Sequence, residues 1–314
     1  MRIEYQVAAA FALDLLFGDP RSLPHPVRVI GEMALRLENP LRRRIVNQRA
    51  AGVCAALLII GGAAFSAFAL LALSSLVASW ARDVMVVLLL YFCFAARDLA
   101  DHASRVLRDL RAGDLVQARF HVSWMVGRDT ATLDERGVVR AAVESVAENT
   151  VDGVIAPLFF ALLCGPVAAI AYKAVSTLDS TFGYKNARYL HFGWASARFD
   201  DCLAYIPARL TLLVMPVASA LVGLHPILAM RMGLRDGRKH ASPNSGLSEA
   251  SAAGALNVRL GGPLLRKGQP CVAPWLGDDG EPLAAHHIAR VVRLMLATVL
   301  LFLVAGFCLR FFLI

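Results

Sequence analysis

Three carboxylates recur at four-residue intervals in residues 144–153, where the chain enters an apolar stretch. On an α-helix, Glu144, Glu148 and Asp152 would fall within an arc of about 80° at 100° per residue. Carboxylate oxygens in register suit a hard cation such as Mg²⁺. A plainer interpretation is a solvated acidic face paired with nearby arginines such as Arg140. The spacing alone is compatible with both a metal or catalytic face and ordinary ion pairing.

A polar loop at residues 236–246 holds an acid, bases, hydroxyls and an amide between two apolar flanks. His240 can titrate near neutral pH. Asp236 precedes it by four residues, so if the loop begins as a helix, the two share a face and Asp236 orients the imidazole. Asn244 and Ser245 lie in a predicted turn and can bind backbone or ligand. The plainer interpretation is a helix end at which the basic residues complement the dipole.

Three further cations, Lys185, Arg198 and Arg209, lie in polar segments beside apolar ones. Lys185 follows Asp179 in a run that also carries hydroxyls and glycine, a mixture suited to contact with phosphate. The alternative is an interfacial loop with snorkelling side chains. Arg209 lies just inside an apolar segment, where a charge is costly unless it is paired or faces a cavity. The chain lacks a Gly-x-x-x-x-Gly-Lys-Ser/Thr segment, so any nucleotide site is not a recognisable P-loop.

The elements that position these residues are predicted to lie in a membrane. Of the 314 residues, 57% are hydrophobic, against roughly 45–50% in soluble domains. The excess is concentrated in blocks, and residues 52–77 exceed the roughly 20 that a bilayer requires. The other blocks are residues 84–96, 154–175, 203–228 and 291–314. We therefore predict an all-α polytopic membrane protein. It has about four to six membrane-embedded helical segments, some re-entrant, with cytoplasmic helical loops, in a single domain over residues 1–314.

Charge indicates the sidedness of the chain. Seven arginines lie between positions 21 and 49, before the first long span, and the positive-inside rule places them in the cytoplasm. The net charge of +8 follows such flanking loops, so we expect no nucleic-acid partner. If residues 154–175 cross once, the basic segment 176–201 lies outside, against the rule. If the chain turns back at Gly165-Pro166, that segment stays inside, which we favour.

The cysteines, two helix boundaries and one acid in an apolar run also lead to predictions. The six cysteines have no metal or redox spacing, so they are predicted to be free thiols. Residues 84–96 are predicted to continue as one helix to Leu110 and to stop at Gly113. Thr132 and Glu135 have capping-box spacing and predict the start of the next helix. Asp14, an acid in an apolar run, is either functional or at the wet end of an interfacial helix.

Taken together, the motifs resemble the CobD/CbiB family of cobalamin biosynthesis, the adenosylcobinamide-phosphate synthases. The resemblance covers most of the chain, from Gly-Asp-Pro and His-Pro-Val-Arg near the start to Leu-Gly-Gly-Pro at 260–263. The most specific segments are Glu144-Ser-Val-Ala-Glu-Asn-Thr-Val-Asp-Gly153, Thr177-Leu-Asp-Ser180 with Gly183-Tyr-Lys185, Ser196-Ala-Arg-Phe-Asp-Asp201 with Pro207-Ala-Arg-Leu210, and residues 236–246.

The resemblance implies an ATP- and Mg²⁺-dependent ligase that joins an amino-alcohol phosphate to a propionate of adenosylcobyric acid. The expected product is adenosylcobinamide phosphate, and the expected location is the bacterial cytoplasmic (inner) membrane. Besides lipid and these substrates, other membrane-associated enzymes of the cobalamin pathway are expected partners. The implied catalytic residues are Asp236, His240, Glu144 and Asp179; the substrate-binding residues are His25, Arg28, Lys185, Arg198, Arg209, Asn244 and Ser245; the metal ligands are Glu148 and Asp152.

Two other classes of function fit the same residues. A Mg²⁺-dependent intramembrane transferase acting on a prenyl or phospho-alcohol donor would also use acids on a helix at the membrane face. A transporter would use Asp14 and Arg209 as intramembrane charges. Consumption of ATP together with formation of a corrinoid amide separates the ligase from both.

Overall fold

The structure is a computed structural model that describes residues 1–19 and 25–313. The Pro20 and Leu23-Pro24 parts of the N-terminal motifs lie outside the described residues. The elements, in chain order, are α1 (Ile3–Phe17), α2 (Pro26–Arg44), α3 (Gln48–Val77), α4 (Ser79–Tyr91), α5 (Ala96–Arg111), α6 (Leu115–Val122), α7 (Glu135–Thr150), a π-helical turn (Val151–Ile155), α8 (Ala156–Cys164), α9 (Pro166–Phe182), α10 (Trp194–Leu203), α11 (Tyr205–Leu221), α12 (Pro226–Asp236), a 3₁₀ turn (Gly237–Lys239), α13 (Ser245–Leu256), β1 (Leu260–Arg266), β2 (Gln269–Leu276) and α14 (His286–Leu313).

The predicted fold class is confirmed, since the chain is 74% helical and its sheet is minimal. Three helical stretches are long and apolar enough to cross a membrane: Gln48–Val77, Glu135–Cys164 and His286–Arg310. A fourth is obtained if α10 and α11, bent by 44°, count as one span. Among the described residues, three spans are fewer than the about four to six membrane-embedded segments predicted, and four spans reach the lower end of that range. All six cysteines are free thiols, as predicted.

The chain divides into two compact units. Unit 1 contains residues 1–95, 156–204 and 309–314, and unit 2 contains residues 96–155 and 205–308. Whether the protein is a single domain, as predicted, is not decided by this division and stays a prediction.

The core of unit 1 forms where α2, α3, α9 and α10 pack together. Small residues on α3 permit close approach, and Gly52 is the clearest case because a Cβ there would collide with the backbone carbonyl of Phe192. Glu38 of α2 is buried and binds Arg188 at 2.9 and 3.0 Å and Arg42 at 2.9 Å. Burial favours a raised pKa for Glu38, but the two guanidinium groups outweigh it and lower that pKa. This ion pair network therefore fixes α2 to the segment before α10.

Two local predictions are corrected by the structure, and a third feature agrees with the alternative that the sequence favoured. The block at 84–96 does not continue as one helix, because α4 ends at Tyr91 and the chain makes tight turns in which Cys93 N–H bonds to Leu90 O at 2.9 Å. At Gly165, with φ of +84°, the chain turns from α8 into α9 and the two helices pack together, as in the hairpin alternative. The N-cap of α7 is Asp134 instead of Thr132, because the Asp134 carboxylate accepts the Gly137 N–H at 2.7 Å.

Unit 2 is organised around α13, whose twelve residues are all buried. Helices α7, α11 and α12 pack against it. Its glycines make this possible, since a Cβ on Gly254 would collide with the backbone of Leu228 on α12. A two-stranded antiparallel hairpin, β1 and β2, also contacts α13 and α7. Its turn is held by Asp129, whose carboxylate accepts the N–H groups of Lys267 and Gly268 at 3.1 and 2.6 Å.

Candidate active site

The acidic face of α7 begins with Glu144, which is buried and has both carboxylate oxygens engaged. One oxygen accepts the backbone N–H of Gly261 at 2.6 Å, and the other accepts a hydrogen bond from Arg128. One turn earlier, Arg140 donates to the carbonyl of the same Gly261 at 3.2 Å. Helix α7 therefore holds both backbone groups of Gly261 at the start of β1. Glu144 serves to position this strand and the loop that carries Arg128.

A cavity of about 200 Å³ lies beside this contact. Its charged and titratable lining comprises Arg128, Glu144, Glu148, His240, Glu249 and Arg266. Helix α7 contributes Glu148, and the buried helix α13 contributes Glu249. Carboxylates, an imidazole and guanidinium groups therefore meet in one enclosed space within unit 2.

Glu249 is a functional candidate that the sequence analysis missed. Its side chain is 8% exposed. Burial raises the pKa of Glu249 well above its usual range, and the negative charges of Glu148, Glu144 and Asp152 raise it further, while Arg128 opposes them. The four acids therefore form one electrostatically coupled cluster. A glutamate within an otherwise small and apolar run at 246–256 was the available signal.

His240 approaches Glu249, with 3.8 Å between the imidazole Nε2 and Oε1 of the carboxylate. Its Nδ1 accepts the N–H of Ser242 at 3.1 Å, which fixes the ring within the loop. The close approach requires glycine at position 246, because a Cβ there would collide with the His240 side chain and the carbonyl of Gly237. The imidazole is thus held at the cavity with one nitrogen directed toward an acid.

The predicted pairing of Asp236 with His240 is wrong. Helix α12 ends at Asp236 and the chain continues as a 3₁₀ turn, so a four-residue spacing does not give a shared face. Asp236 is instead fully buried and accepts from Arg235 at 2.6 and 2.7 Å, from Lys239 at 2.7 Å and from the Gly277 N–H at 2.9 Å. Burial alone would raise the pKa of Asp236, but these donors outweigh it and hold the pKa far below its usual range. Asp236 thus anchors the loop to the end of β2.

Arg209, Asn244 and Ser245 are brought together in unit 2. Arg209 on α11 donates to the Asn244 side chain at 3.0 Å and to the Tyr205 carbonyl at 2.9 Å, and its guanidinium lies over the Tyr205 ring. Asn244 is the N-cap residue of α13, and Ser245 begins that helix. The charge of Arg209 beside an apolar segment is therefore stabilised by these contacts, as the sequence analysis required. These contacts join α11 to the start of the helix that carries Glu249.

The remaining candidates lie in unit 1. His25 caps α2, since its Nδ1 accepts the Val27 N–H at 3.2 Å, and Arg28 is exposed on the same helix. Asp179 lies in the last turn of α9. Lys185 and Arg198 are exposed, and both interact electrostatically with Asp201. Their binding roles stay predictions.

Comparison with known proteins identifies the family. The family model for the CobD/Cbib protein matches residues 7–295. The chain belongs to the CobD/CbiB family. It is 54% identical over 289 residues to Cobalamin biosynthesis protein CobD of Geobacter metallireducens, covering 92% of this chain and 91% of the relative. It is 44% identical to CobD of Citrobacter koseri and 42% identical to Cobalamin biosynthesis protein CbiB of Salmonella typhimurium, each over 91% of both chains. No solved structure gave a significant match.

The CobD/CbiB match includes every residue of the cavity and all the candidate site residues. The resemblance stated from the motifs is therefore confirmed, and the chain is an enzyme of cobalamin biosynthesis. The region common to the family contains both the acidic face of α7 and the polar loop that follows α12.

Proposed function

We propose that this CobD/CbiB protein is an ATP-dependent amide ligase that joins an amino-alcohol phosphate, typically aminopropanol phosphate, to a propionate of adenosylcobyric acid. The proposal rests mainly on the cavity in which Glu148, Glu249 and His240 meet Arg128. Ligation requires a site for phosphate charge, a site for a cation and a proton acceptor close together. This cavity contains residue types suited to each requirement.

The proposed reaction has two steps. A propionate oxygen attacks the γ-phosphorus of ATP, the bond to the β-phosphate bridging oxygen breaks, and ADP leaves. The amine nitrogen of the amino-alcohol phosphate then attacks the acyl carbon, and inorganic phosphate leaves as the amide forms. The ammonium group must lose a proton before or during this attack, and His240 is the proposed acceptor because its Nε2 faces the cavity beside Glu249.

The donor set fits Mg²⁺. Carboxylate oxygens are hard ligands. The pKa of Glu249 is raised first by burial and then by the neighbouring acids, and a divalent cation would relieve the second of these effects. Both oxygens of Glu144 are already engaged. Glu148 and Asp152, as predicted from the sequence, and Glu249 are the residues that would hold the ion. Bound Mg²⁺ would neutralise the phosphate charge of ATP. Asp152 lies in the π-helical turn, an irregularity frequently found at functional sites.

Arg128 and Arg266 of the cavity are proposed to contact phosphate. The phosphate contacts predicted for Lys185, Arg198 and Arg209 are kept as separate hypotheses. Asp179, His25, Arg28, Asn244 and Ser245 keep their predicted catalytic or substrate-binding roles as hypotheses. Asp236 is proposed to act indirectly, by holding the loop that presents His240. The proposed location is the bacterial inner membrane, with the reaction on the cytoplasmic side, where ATP is available, and other membrane-associated pathway enzymes as partners.

The test is an assay with purified protein, adenosylcobyric acid, amino-alcohol phosphate, ATP and Mg²⁺. Mass spectrometry should detect adenosylcobinamide phosphate and an equal amount of ADP. Omission of ATP, and the Glu148→Gln variant, are the matched negative controls. A corrinoid product formed without ATP cleavage would exclude the ligase mechanism. Turnover of a prenyl or phospho-alcohol donor alone would favour the transferase, and substrate movement into liposomes without chemistry would favour a transporter.

A further inference from the structure

A second group of potential metal ligands lies in unit 2, among residues that the proposed ligase mechanism does not use. Glu281 belongs to the segment between β2 and α14, and His286 and His287 begin α14. The backbone of this segment is fixed, because the Glu281 N–H donates to the carbonyl of Asn257 at 2.7 Å. The three side chains each offer one ligand atom, and these atoms lie within 4.8 Å of one another.

Two of the separations between these atoms are close to those of atoms bound to one metal ion. His287 Nε2 lies 3.4 Å from Oε2 of Glu281, and His286 Nε2 lies 3.8 Å from the same oxygen. Ligand atoms at about 2.0–2.2 Å from a tetrahedral zinc ion are separated by roughly 3.3–3.6 Å. An ion could therefore be accommodated with small adjustments of two of the side chains, since His286 and Glu281 are 49% and 42% exposed.

His287 provides an independent indication of a ligand. Its side chain is fully buried, and the only polar contact of its Nε2 among the described residues is the 3.4 Å approach to Oε2 of Glu281, which is too poorly aligned for a regular hydrogen bond. Its Nδ1 lies 3.1 Å from the carbonyl oxygen of Ala284. The Ala284 N–H nitrogen also lies 3.1 Å from Nδ1. In the tautomer that is protonated at Nδ1 and donates to the Ala284 carbonyl, the Nε2 lone pair is directed at Glu281. Contact of the second ring nitrogen with a backbone carbonyl is the usual way in which metal-binding histidines are oriented.

Arg290 completes the arrangement one turn further along α14. Its guanidinium donates to Oε2 of Glu281 at 3.1 Å. A carboxylate oxygen has two lone pairs, so it can accept this hydrogen bond and bind a metal at the same time. Ligating carboxylates are commonly supported by such hydrogen bonds. Arg290 therefore orients Glu281 and offsets its charge without occupying the ligand position.

We propose that Glu281, His286 and His287 form a zinc site. Two imidazole nitrogens and one carboxylate oxygen are ligands that suit Zn²⁺ better than Mg²⁺, and three protein ligands leave a fourth position for water. The bound ion would fasten the segment at 277–285 to the first turn of α14. This proposal does not depend on the ligase reaction, because none of its residues lines the acidic cavity.

The test uses tag-free, full-length protein in detergent, stripped with a chelator and then titrated with Zn²⁺ in competition with a chromophoric chelator. Wild-type protein should bind Zn²⁺ at this site, and His287→Ala and Glu281→Gln should bind at least about tenfold more weakly, since loss of even an outer-shell partner commonly costs 10–100-fold. The matched control is His225→Ala, which removes an exposed histidine at the N-cap position of α12. Its affinity should equal that of wild type.

Two further measurements keep the test decisive. If His287→Ala does not fold, His286→Ala carries the comparison, because the His286 side chain is half exposed. Titration with Co²⁺ should give the visible absorption of a four-coordinate ion in wild type and His225→Ala, and this absorption should be lost in the ligand variants. Absence of binding by wild type overturns the proposal. Equal affinity in wild type, Glu281→Gln and His286→Ala also overturns it.

Discussion

Glu249 and His240 face each other across 3.8 Å, the acid on a buried helix and the imidazole on the loop that precedes it. A proton taken up by the imidazole would therefore lie beside Glu249 and be stabilised by the ionised form of that side chain. We predict that His240→Ala lowers the maximal rate of ligation by about 10²–10⁴-fold, the usual contribution of a general base. The pH dependence of the rate should also change.

His191→Ala, at an exposed histidine in unit 1, is the control and should keep the wild-type profile. Rates are to be measured between pH 5 and 9 at saturating substrate. An unchanged pH–rate profile in His240→Ala would leave only the plainer interpretation, in which the basic residues at this helix end complement the dipole.

The raised pKa of Glu249 should make the thermal stability of the protein depend on pH. A carboxyl whose pKa is higher in the folded state contributes stability below its unfolded pKa of about 4.3 and loses it as pH rises through the folded pKa. We therefore expect Glu249→Gln to melt at a higher temperature than wild type at pH 8 without Mg²⁺. The difference should shrink toward pH 5, and Mg²⁺ should stabilise wild type more than the variant. A lower melting temperature for the variant at pH 8 would contradict this account.

The acidic face of α7 and of the π-helical turn that follows it is tested by Glu148→Gln and Asp152→Asn. Each should reduce turnover by at least about 100-fold, the scale of losing one electrostatic contact in an active site. Each should also raise the Mg²⁺ concentration required for half-maximal rate while leaving the melting temperature near that of wild type. Glu135→Gln is the matched control, because Glu135 is exposed at the start of the same helix. Wild-type rates in both test variants would remove this face from the mechanism.

Asp236 is predicted to act on stability. Its buried carboxylate accepts hydrogen bonds from two cationic side chains and one amide, so Asp236→Asn should lower the free energy of unfolding by about 1.5–3 kcal/mol, the range for hydrogen bonds to charged groups. Because its pKa is lowered on folding, this contribution is present above the unfolded pKa of about 3.9 and is lost as pH falls.

Asp279→Asn provides the comparison for Asp236, since Asp279 pairs with Arg259 at 2.6 Å but is 81% exposed. An exposed pair of this kind contributes about 0–1 kcal/mol. Thermal unfolding in detergent at pH 7 and pH 4 measures both variants. Equal effects at pH 7 would show that the burial of Asp236 has no energetic consequence.

The side of the membrane on which residues 176–201 lie is tested at Ser180, which is exposed. Cys164, Cys202, Cys271 and Cys308 are also exposed, so Ser180→Cys must be introduced into a background in which the native cysteines are replaced. The new thiol should resist a membrane-impermeant reagent in intact cells and react after lysis. Reaction in intact cells would place the segment outside.

Local patterns predicted much of this protein. Apolar blocks predicted the helical membrane class, because the thickness of the bilayer sets their length. Gly165-Pro166 predicted the turn between α8 and α9, because glycine adopts positive φ without strain. The four-residue spacing correctly placed Glu144 and Glu148 on one helix. These features depend on residues that are near one another in the sequence.

What was missed depends on distant contacts. The donors to Asp236 include Gly277, which is 41 residues away, and the partner of Glu144 is Gly261, 117 residues away. The turn between β1 and β2 is held by Asp129 from a remote loop. The alternation of residues along the strands does not predict this contact. Glu249 acquires its significance only because α13 is buried among α7, α11 and α12. Burial of this kind is a property of the assembled fold.

Helix α13 has a further consequence for how this protein can be handled. All twelve of its residues are buried, so neither detergent nor lipid touches the element that carries Glu249. Backbone amides in such an element exchange with solvent deuterium only through large opening events. Changing the detergent or the headgroup composition should therefore alter amide exchange along the exposed face of α3 while leaving the amide protection of α13 constant. Purified protein is expected to retain the geometry of its acidic cavity outside the bilayer.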